Sequence, residues 1–187
     1  MRYYYIHGFN SGKNSLTGER LRNALNEEVI CLSYDSFNSF EENYASLIGQ
    51  ISENEDFCVV GVSLGAFYAN LIASHYGMPC VMFNPVVDAV EELSQFLGEN
   101  TNFADGNKYM FTKEVLDSYG NASNKIVSIP RTIFVSSEDE VIQDNVNKVY
   151  NKFSSHAEIC VIDGAHRICD FTPFVSQIQE TANTFCV

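Results

Sequence analysis

The residues best suited to chemistry in this 187-residue chain stand at Gly61-Val62-Ser63-Leu64-Gly65, where a serine sits midway between two glycines. Phe57-Cys58-Val59-Val60 before it is apolar and β-branched enough for a buried strand, and Leu64 to Tyr76 after it has helical spacing. A serine on so tight a strand-to-helix turn has a strained backbone, so the residues two before and two after it must be small. Gly61 and Gly65 meet that demand, and Ala66 keeps the start of the helix slim. The turn presents the hydroxyl at the carboxyl edge of a sheet, beside a helix amino terminus that favours developing negative charge. Ser63 is therefore read as a nucleophile; the alternative is a glycine-rich turn without chemistry.

A serine hydroxyl needs a general base within hydrogen-bond reach, itself oriented by a carboxylate. Of four histidines, His7 ends the first apolar run and is expected to hold its loop by a hydrogen bond. His75 lies late in the helix after Ser63, and His156 sits in the polar turn Ser154-Ser155-His156. His166, in Asp163-Gly164-Ala165-His166-Arg167 after the last strand, is read as the base, the alternative being an exposed loop histidine. In the chain order serine, acid, histidine, the acid belongs to Ser136-Ser137-Glu138-Asp139-Glu140. Asp139 is preferred there, but local spacing separates it poorly from Glu138 and Glu140; Asp163 is expected to end its strand and point elsewhere. An oxyanion needs two backbone N–H donors, one from the residue after the nucleophile and one from an earlier loop. These are Leu64 and, within His7-Gly8-Phe9-Asn10-Ser11-Gly12, Phe9, with Asn10 as the alternative.

Short apolar runs alternating with amphipathic ones imply a mostly parallel sheet covered by helices. Six strands are predicted over Tyr3 to His7, Val29 to Ser33, Phe57 to Gly61, Cys80 to Asn84, Thr132 to Ser136 and Glu158 to Ile162. Helices are predicted over Leu16 to Leu25, Phe40 to Ile51, Leu64 to Tyr76, Gln143 to Phe153 and Phe171 to Thr184. About 45 residues separate the fourth strand from the fifth, far more than one crossover helix requires. Residues 85–130 are accordingly an insertion, helical over Val90 to Leu97 and Lys113 to Tyr119 and rich in turn formers from Asn100 to Asn107. It is read as a lid, or else as an excursion over a sheet edge. Its apolar residues, Phe111 among them, either line a small acyl pocket or pack the insertion down. Asn10 and Arg167 are the other tentative pocket residues, Arg167 for an anionic group on the substrate unless it is a plain surface arginine.

The chain length and 45% hydrophobic content fit one domain spanning residues 1–187. A net charge of −13 argues against nucleic acid and anionic membrane surfaces as partners. No apolar run is long enough to cross a bilayer, and Met1-Arg2-Tyr3-Tyr4-Tyr5 lacks the features of a signal peptide, so a cytoplasmic location is expected. The six cysteines show no metal spacing and are read as buried free thiols.

Taken together these residues resemble the short, single-domain YqiA/YcfP-like esterases of the α/β-hydrolase superfamily. The landmarks are His7-Gly8-Phe9-Asn10-Ser11, the Gly61 to Gly65 elbow with Phe67-Tyr68-Ala69, Phe83-Asn84-Pro85, Asp139-Glu140-Val141 and Gly164-Ala165-His166. Carried over residue by residue, the resemblance implies a triad of Ser63, Asp139 and His166 and favours Asp139 over its acidic neighbours. It implies a compact α/β-hydrolase fold and a serine carboxylesterase acting on small, short-acyl esters through an acyl-enzyme. Alternatives are a thioesterase or other acyl hydrolase, and a hydrolase-fold binding protein without turnover. No metal or organic cofactor is required, and a monomer or weak homo-oligomer is expected.

Overall fold

The computed structural model describes residues 1–52, 55–123 and 125–184. In chain order the elements are β1 (Arg2–Ile6), α1 (Leu16–Leu25), β2 (Val29–Leu32), α2 (Phe40–Ile48), β3 (Phe57–Val62), α3 (Leu64–Tyr76) and β4 (Cys80–Phe83). There follow α4 (Ala89–Leu93), β5 (Gly98–Thr101), β6 (Lys108–Phe111), α5 (Lys113–Ser118), β7 (Arg131–Ser136), α6 (Asn145–Phe153), β8 (Glu158–Ile162) and α7 (Val175–Asn183). Six strands form one sheet in the order β2-β1-β3-β4-β7-β8, every neighbouring pair parallel. The chain builds β2 to one side of β1 and then crosses to lay β3 on the other. That reversal falls at the carboxyl ends of β1 and β3, the kind of switch point at which ligand sites of open α/β sheets form.

Alternation along the strands divides the core in two. Tyr4, Ile6, Val59 and Met82 face a cluster closed by Leu47 of α2, Tyr68 and Ile72 of α3 and Val149 of α6. Tyr3, Tyr5, Val60 and Phe83 face the other, closed by Leu21 of α1 and Ile178 of α7. Helices thus cover both faces, as the patterning implies.

Boundaries move where side chains capture the backbone. Ser33 lies beyond β2 and α2 stops at Ile48 because the Gln50 amide turns back to bond both the N–H (3.0 Å) and the carbonyl (2.8 Å) of Ser33. The predicted start of α6 at Gln143 is corrected to Asn145, since the preceding residues wrap around the Asp139 carboxylate and Asp144 is left-handed at φ 57°. Phe171 is not helical: a 3-10 turn over Thr172–Phe174 precedes α7. The cysteine expectation is corrected too, for Cys58 and Cys80 are buried and free but Cys31 and Cys160 are half-buried and Cys169 is exposed. Cys186 lies outside the described residues.

The larger correction is in the insertion. The turn-rich stretch takes in the end of one strand and the tip of an antiparallel hairpin, β5 with β6, which no apolar alternation announces. Gly98-Glu99-Asn100-Thr101 has weak strand propensity. Asx turns at Asn102 and Asp105 close the tip. The two predicted helices are shorter, each passing into a 3-10 turn, Ser94–Phe96 after α4 and Tyr119–Asn121 after α5. α5 is tied down by a bond from the Phe40 N–H to Ser118 Oγ (2.8 Å) and by one between the Tyr68 and Tyr119 hydroxyls (2.9 Å). Phe111 and Leu116 are core residues, whereas Phe103 and Met110 are exposed. Among the described residues, no helix is long and apolar enough to cross a membrane.

Gly65 is where the first turn of α3 meets the end of β1: an added Cβ would lie 2.1 Å from the Ile6 carbonyl oxygen and 2.4 Å from that of His7. Both obstacles are backbone, so only a shift of helix against sheet could make room. Gly65→Ala should lose about 3 kcal/mol or more in urea unfolding. Gly49→Ala, whose Cβ would find 3.5 Å to its nearest neighbour, should stay near wild type.

Candidate active site

Ser63 joins β3 to α3 at φ 57° and ψ −124°, a conformation that non-glycine residues rarely hold. Its N–H donates to the Phe83 carbonyl (2.9 Å), and its carbonyl accepts from Ala66 (2.9 Å) and Val86 (3.2 Å). A Cβ on Gly61 would lie 2.3 Å from the Gly65 carbonyl oxygen, so the turn closes only over two glycines. Although Ser63 occupies the N-cap position of α3, its hydroxyl makes no capping bond. Serine there usually spends its oxygen on the helix. Here Oγ stays free for other work.

The loop after β1 lies against this serine. A Cβ on Gly8 would come 3.3 Å from Ser63 Cβ and 3.8 Å from Oγ. Contrary to the expected boundary, His7 lies just past β1, fully buried, its ring stacked on Tyr34 at 4.4 Å. Nδ1 bonds the Gly8 carbonyl (2.9 Å) and Nε2 meets the Tyr34 N–H (3.5 Å). A carbonyl can only accept and an N–H can only donate, which fixes the neutral Nδ1–H tautomer. Burial pushes the His7 pKa down to about 4 against the opposing effect of the Gly8 bond. With the Gly8 carbonyl held toward the imidazole, the trans peptide turns the Phe9 N–H the opposite way. Among the described residues neither the Phe9 nor the Leu64 N–H donates to any group. The Asn10 N–H, by contrast, is spent on Ser36 Oγ (2.9 Å).

Across the sheet, His166 Nδ1 stands 2.9 and 2.8 Å from the two carboxylate oxygens of Asp139. The Asp139 side chain is 2% exposed and also accepts from the N–H groups of Val141 (3.0 Å) and Ile142 (2.8 Å) and from Asn145 Nδ2 (3.0 Å). Burial pushes its pKa up, but the His166 bond, the Ile142 N–H, the imidazole's charge and Asn145 outweigh it, and the acid stays below the usual carboxylate range. The carboxylate that follows has another partner. Glu140 takes the backbone N–H of His166 (2.8 Å), and the Glu138 N–H bonds the Gly164 carbonyl (3.1 Å). His166 Nε2 carries no hydrogen bond among the described residues, and Ser63 Oγ is not bonded to it in this structure. Such contacts are often long in free enzymes and shorten with substrate.

Asn84 went unrecognised in the sequence as a residue with a task. It lies between the elbow and the loop of His166, fully buried and left-handed at φ 43° directly after β4. Its Nδ2 donates to the His166 carbonyl (2.7 Å) and Ser136 Oγ (2.9 Å), its Oδ1 accepts from the Ser136 N–H (2.7 Å), and Ser136 Oγ donates to the Ala165 carbonyl (2.9 Å). The ends of β4 and β7 and the His166 loop are thereby joined through one amide. In the sequence it stands as an asparagine closing a buried apolar strand ahead of Pro85, within the landmark Phe83-Asn84-Pro85, with nothing there to assign it a partner.

Of the tentative pocket residues, Phe111 is buried against the Phe9 ring (5.1 Å), Asn10 is buried and its side chain is engaged by Asn100 and Tyr109, and Arg167 is exposed without an ion pair among the described residues. His75 packs on Tyr44 and Tyr76, and the His156 N–H bonds the Phe153 carbonyl. Among the described residues no cluster of histidine, cysteine and acidic side chains could hold a metal ion.

A parallel sheet with this strand order, a strained serine after β3 and an acid–imidazole pair from the loops after β7 and β8 define an α/β-hydrolase fold. The profile of the uncharacterised protein family UPF0227, the YqiA family, matches residues 2–183, and the chain belongs to that family. Solved structures share the architecture at low identity. Est1E from Butyrivibrio proteoclasticus superposes with a TM-score of 0.71 at 15% identity, over 99% of this chain and 86% of its own. Mouse alpha/beta hydrolase domain-containing protein 10 gives 0.74 at 13%, over 98% and 90%. The monoacylglycerol lipase of Paleococcus ferrophilus gives 0.65 at 13%, over 97% and 94%.

Two outcomes follow. Below pH 6.5 an unfolded His7 takes up a proton that the folded one refuses until about pH 4. Stability should therefore fall by on the order of 3 kcal/mol as pH drops through that window, and stay level above it. Thermal melting of His7→Gln should lack that decline. Asn84→Ala leaves the Ser136 N–H and the His166 carbonyl unpaired, and should cost about 2–4 kcal/mol in urea unfolding.

Proposed function

We propose that this protein is a serine hydrolase of small carboxylic esters, with Ser63 as nucleophile, His166 as general base and acid, and Asp139 as the orienting carboxylate. The observation that carries the reading is the approach of both Asp139 carboxylate oxygens to His166 Nδ1, at 2.8 and 2.9 Å, on the sheet edge that also bears a strained, uncapped serine. An acid on Nδ1 keeps the proton there and leaves the Nε2 lone pair for the nucleophile. The esterases and lipases that share the fold support hydrolysis as the class of reaction.

The steps balance without a cofactor. Ser63 Oγ bonds to the ester carbonyl carbon while its proton passes to His166 Nε2, and the carbonyl oxygen takes the negative charge. The N–H groups of Phe9 and Leu64 hold that oxyanion. As the C–O bond to the alcohol breaks, the imidazolium gives its proton to the leaving oxygen, and an acyl-serine remains. Water then repeats the sequence, releasing the acid and restoring the hydroxyl. Short acyl groups suit a site whose neighbouring insertion buries Phe111 and Leu116 in the core instead of lining a long tunnel with them.

A fluorophosphonate probe should label the wild type and not Ser63→Ala, with p-nitrophenyl acetate, butyrate and octanoate assayed beside acyl-CoA thioesters to separate the two acyl classes. Asp139→Asn should retain labelling at a much slower rate and lose about 10⁴-fold in kcat. Labelling that survives Ser63→Ala would overturn the assignment.

A further inference from the structure

The loop bearing the Phe9 N–H is gripped along its length by the inserted hairpin. Every hydrogen-bonding group of Asn10 is engaged, and all but one of its bonds reach the hairpin. Its carbonyl accepts from the Phe103 N–H (2.9 Å), its Nδ2 donates to Asn100 Oδ1 (3.2 Å) and its Oδ1 accepts from the Tyr109 hydroxyl, while its N–H goes to Ser36. Asn10 holds φ 56°, so its backbone must be kept in place. On either side, the Phe9 ring packs on Phe96 (5.0 Å) and Phe111 (5.1 Å), and a Cβ on Gly12 would meet Ala104 Cβ at 3.0 Å. Asn100 is itself fixed, its Nδ2 donating to the carbonyl of Phe96 (2.6 Å).

We propose that the β5–β6 hairpin is a clamp that sets the position of the oxyanion-binding Phe9 N–H, with Asn10 and Tyr109 as positioning residues, and is not a lid that swings clear of the site. The proposal rests on the hydrolase reading above. His7 fixes the start of the loop from beneath, through the Gly8 carbonyl, and the hairpin fixes the rest from above. Lifting the hairpin would break its bonds to Asn10 and take Phe111 from the Phe9 ring. The donor would then move, and displacement by about 1 Å can cost a hundredfold in rate.

Asn10→Gly is the informative variant, since glycine takes the left-handed backbone without strain and removes only the side chain that the hairpin holds. With p-nitrophenyl butyrate its kcat should fall about tenfold or more while KM stays within about twofold. Affinity for a trifluoromethyl ketone, whose hemiketal oxygen occupies the oxyanion site, should fall by the same factor as kcat/KM. Tyr109→Phe, lacking one hydroxyl, should show the same pattern at about threefold. Thr101→Ala, exposed on the same hairpin, should match the wild type. Equal losses in kcat and KM, or unchanged inhibitor affinity, would overturn the clamp and leave the hydrolase standing. Should Asn10→Gly not fold, Tyr109→Phe decides by the same criteria. Should the wild type prove inactive, hydrogen exchange of the Phe9 to Gly12 amides decides: faster exchange in Tyr109→Phe supports the clamp, and unchanged exchange overturns it.

Discussion

Ser63 holds a backbone conformation that its own side chain disfavours, and much of the sheet edge is arranged around keeping it there. The strain is tolerated because the turn is over-determined. Its N–H is paired with Phe83, its carbonyl with Ala66 and Val86, and the glycines on either side admit backbone where any Cβ would collide. The same pinch draws α3 onto β1 and brings Gly8 to the serine. Fold packing and site geometry are therefore one constraint at this point.

Neutral polar residues do the bracing nearby. His7, buried and held uncharged, orients the first loop, and Asn84, buried and left-handed, joins β4, β7 and the loop of His166. Neither leaves an unpaired buried charge, and each pairs with at least two backbone groups beside strand ends. The acidic loop divides its labour in a comparable way, with Asp139 on the imidazole ring and Glu140 on the backbone behind it.

The strands of the sheet, the long helices and the elbow were legible in the sequence because each rests on a local rule: period-two or helical apolar spacing, and small residues around a serine. Errors gathered where side chains capture backbone across long separations. Gln50 ends a strand and a helix together, and Asp139 unwinds the expected first turn of α6. The hairpin escaped notice because its strands are short and polar and are held by contacts to residues about ninety positions away.

What the sequence by itself determined is the parallel sheet, the family, and the serine set between two glycines at a strand-to-helix turn, since patterning and motif are properties of neighbours along the chain. Only the tertiary structure shows which of the adjacent carboxylates meets the His166 ring and which its backbone, Asp139 the one and Glu140 the other, because that depends on the loop that Gly164 and His166 bring alongside. It likewise decided that Asn10 spends its N–H on Ser36 and its side chain on the hairpin. Those partners come from distant segments, and packing alone determines which groups meet.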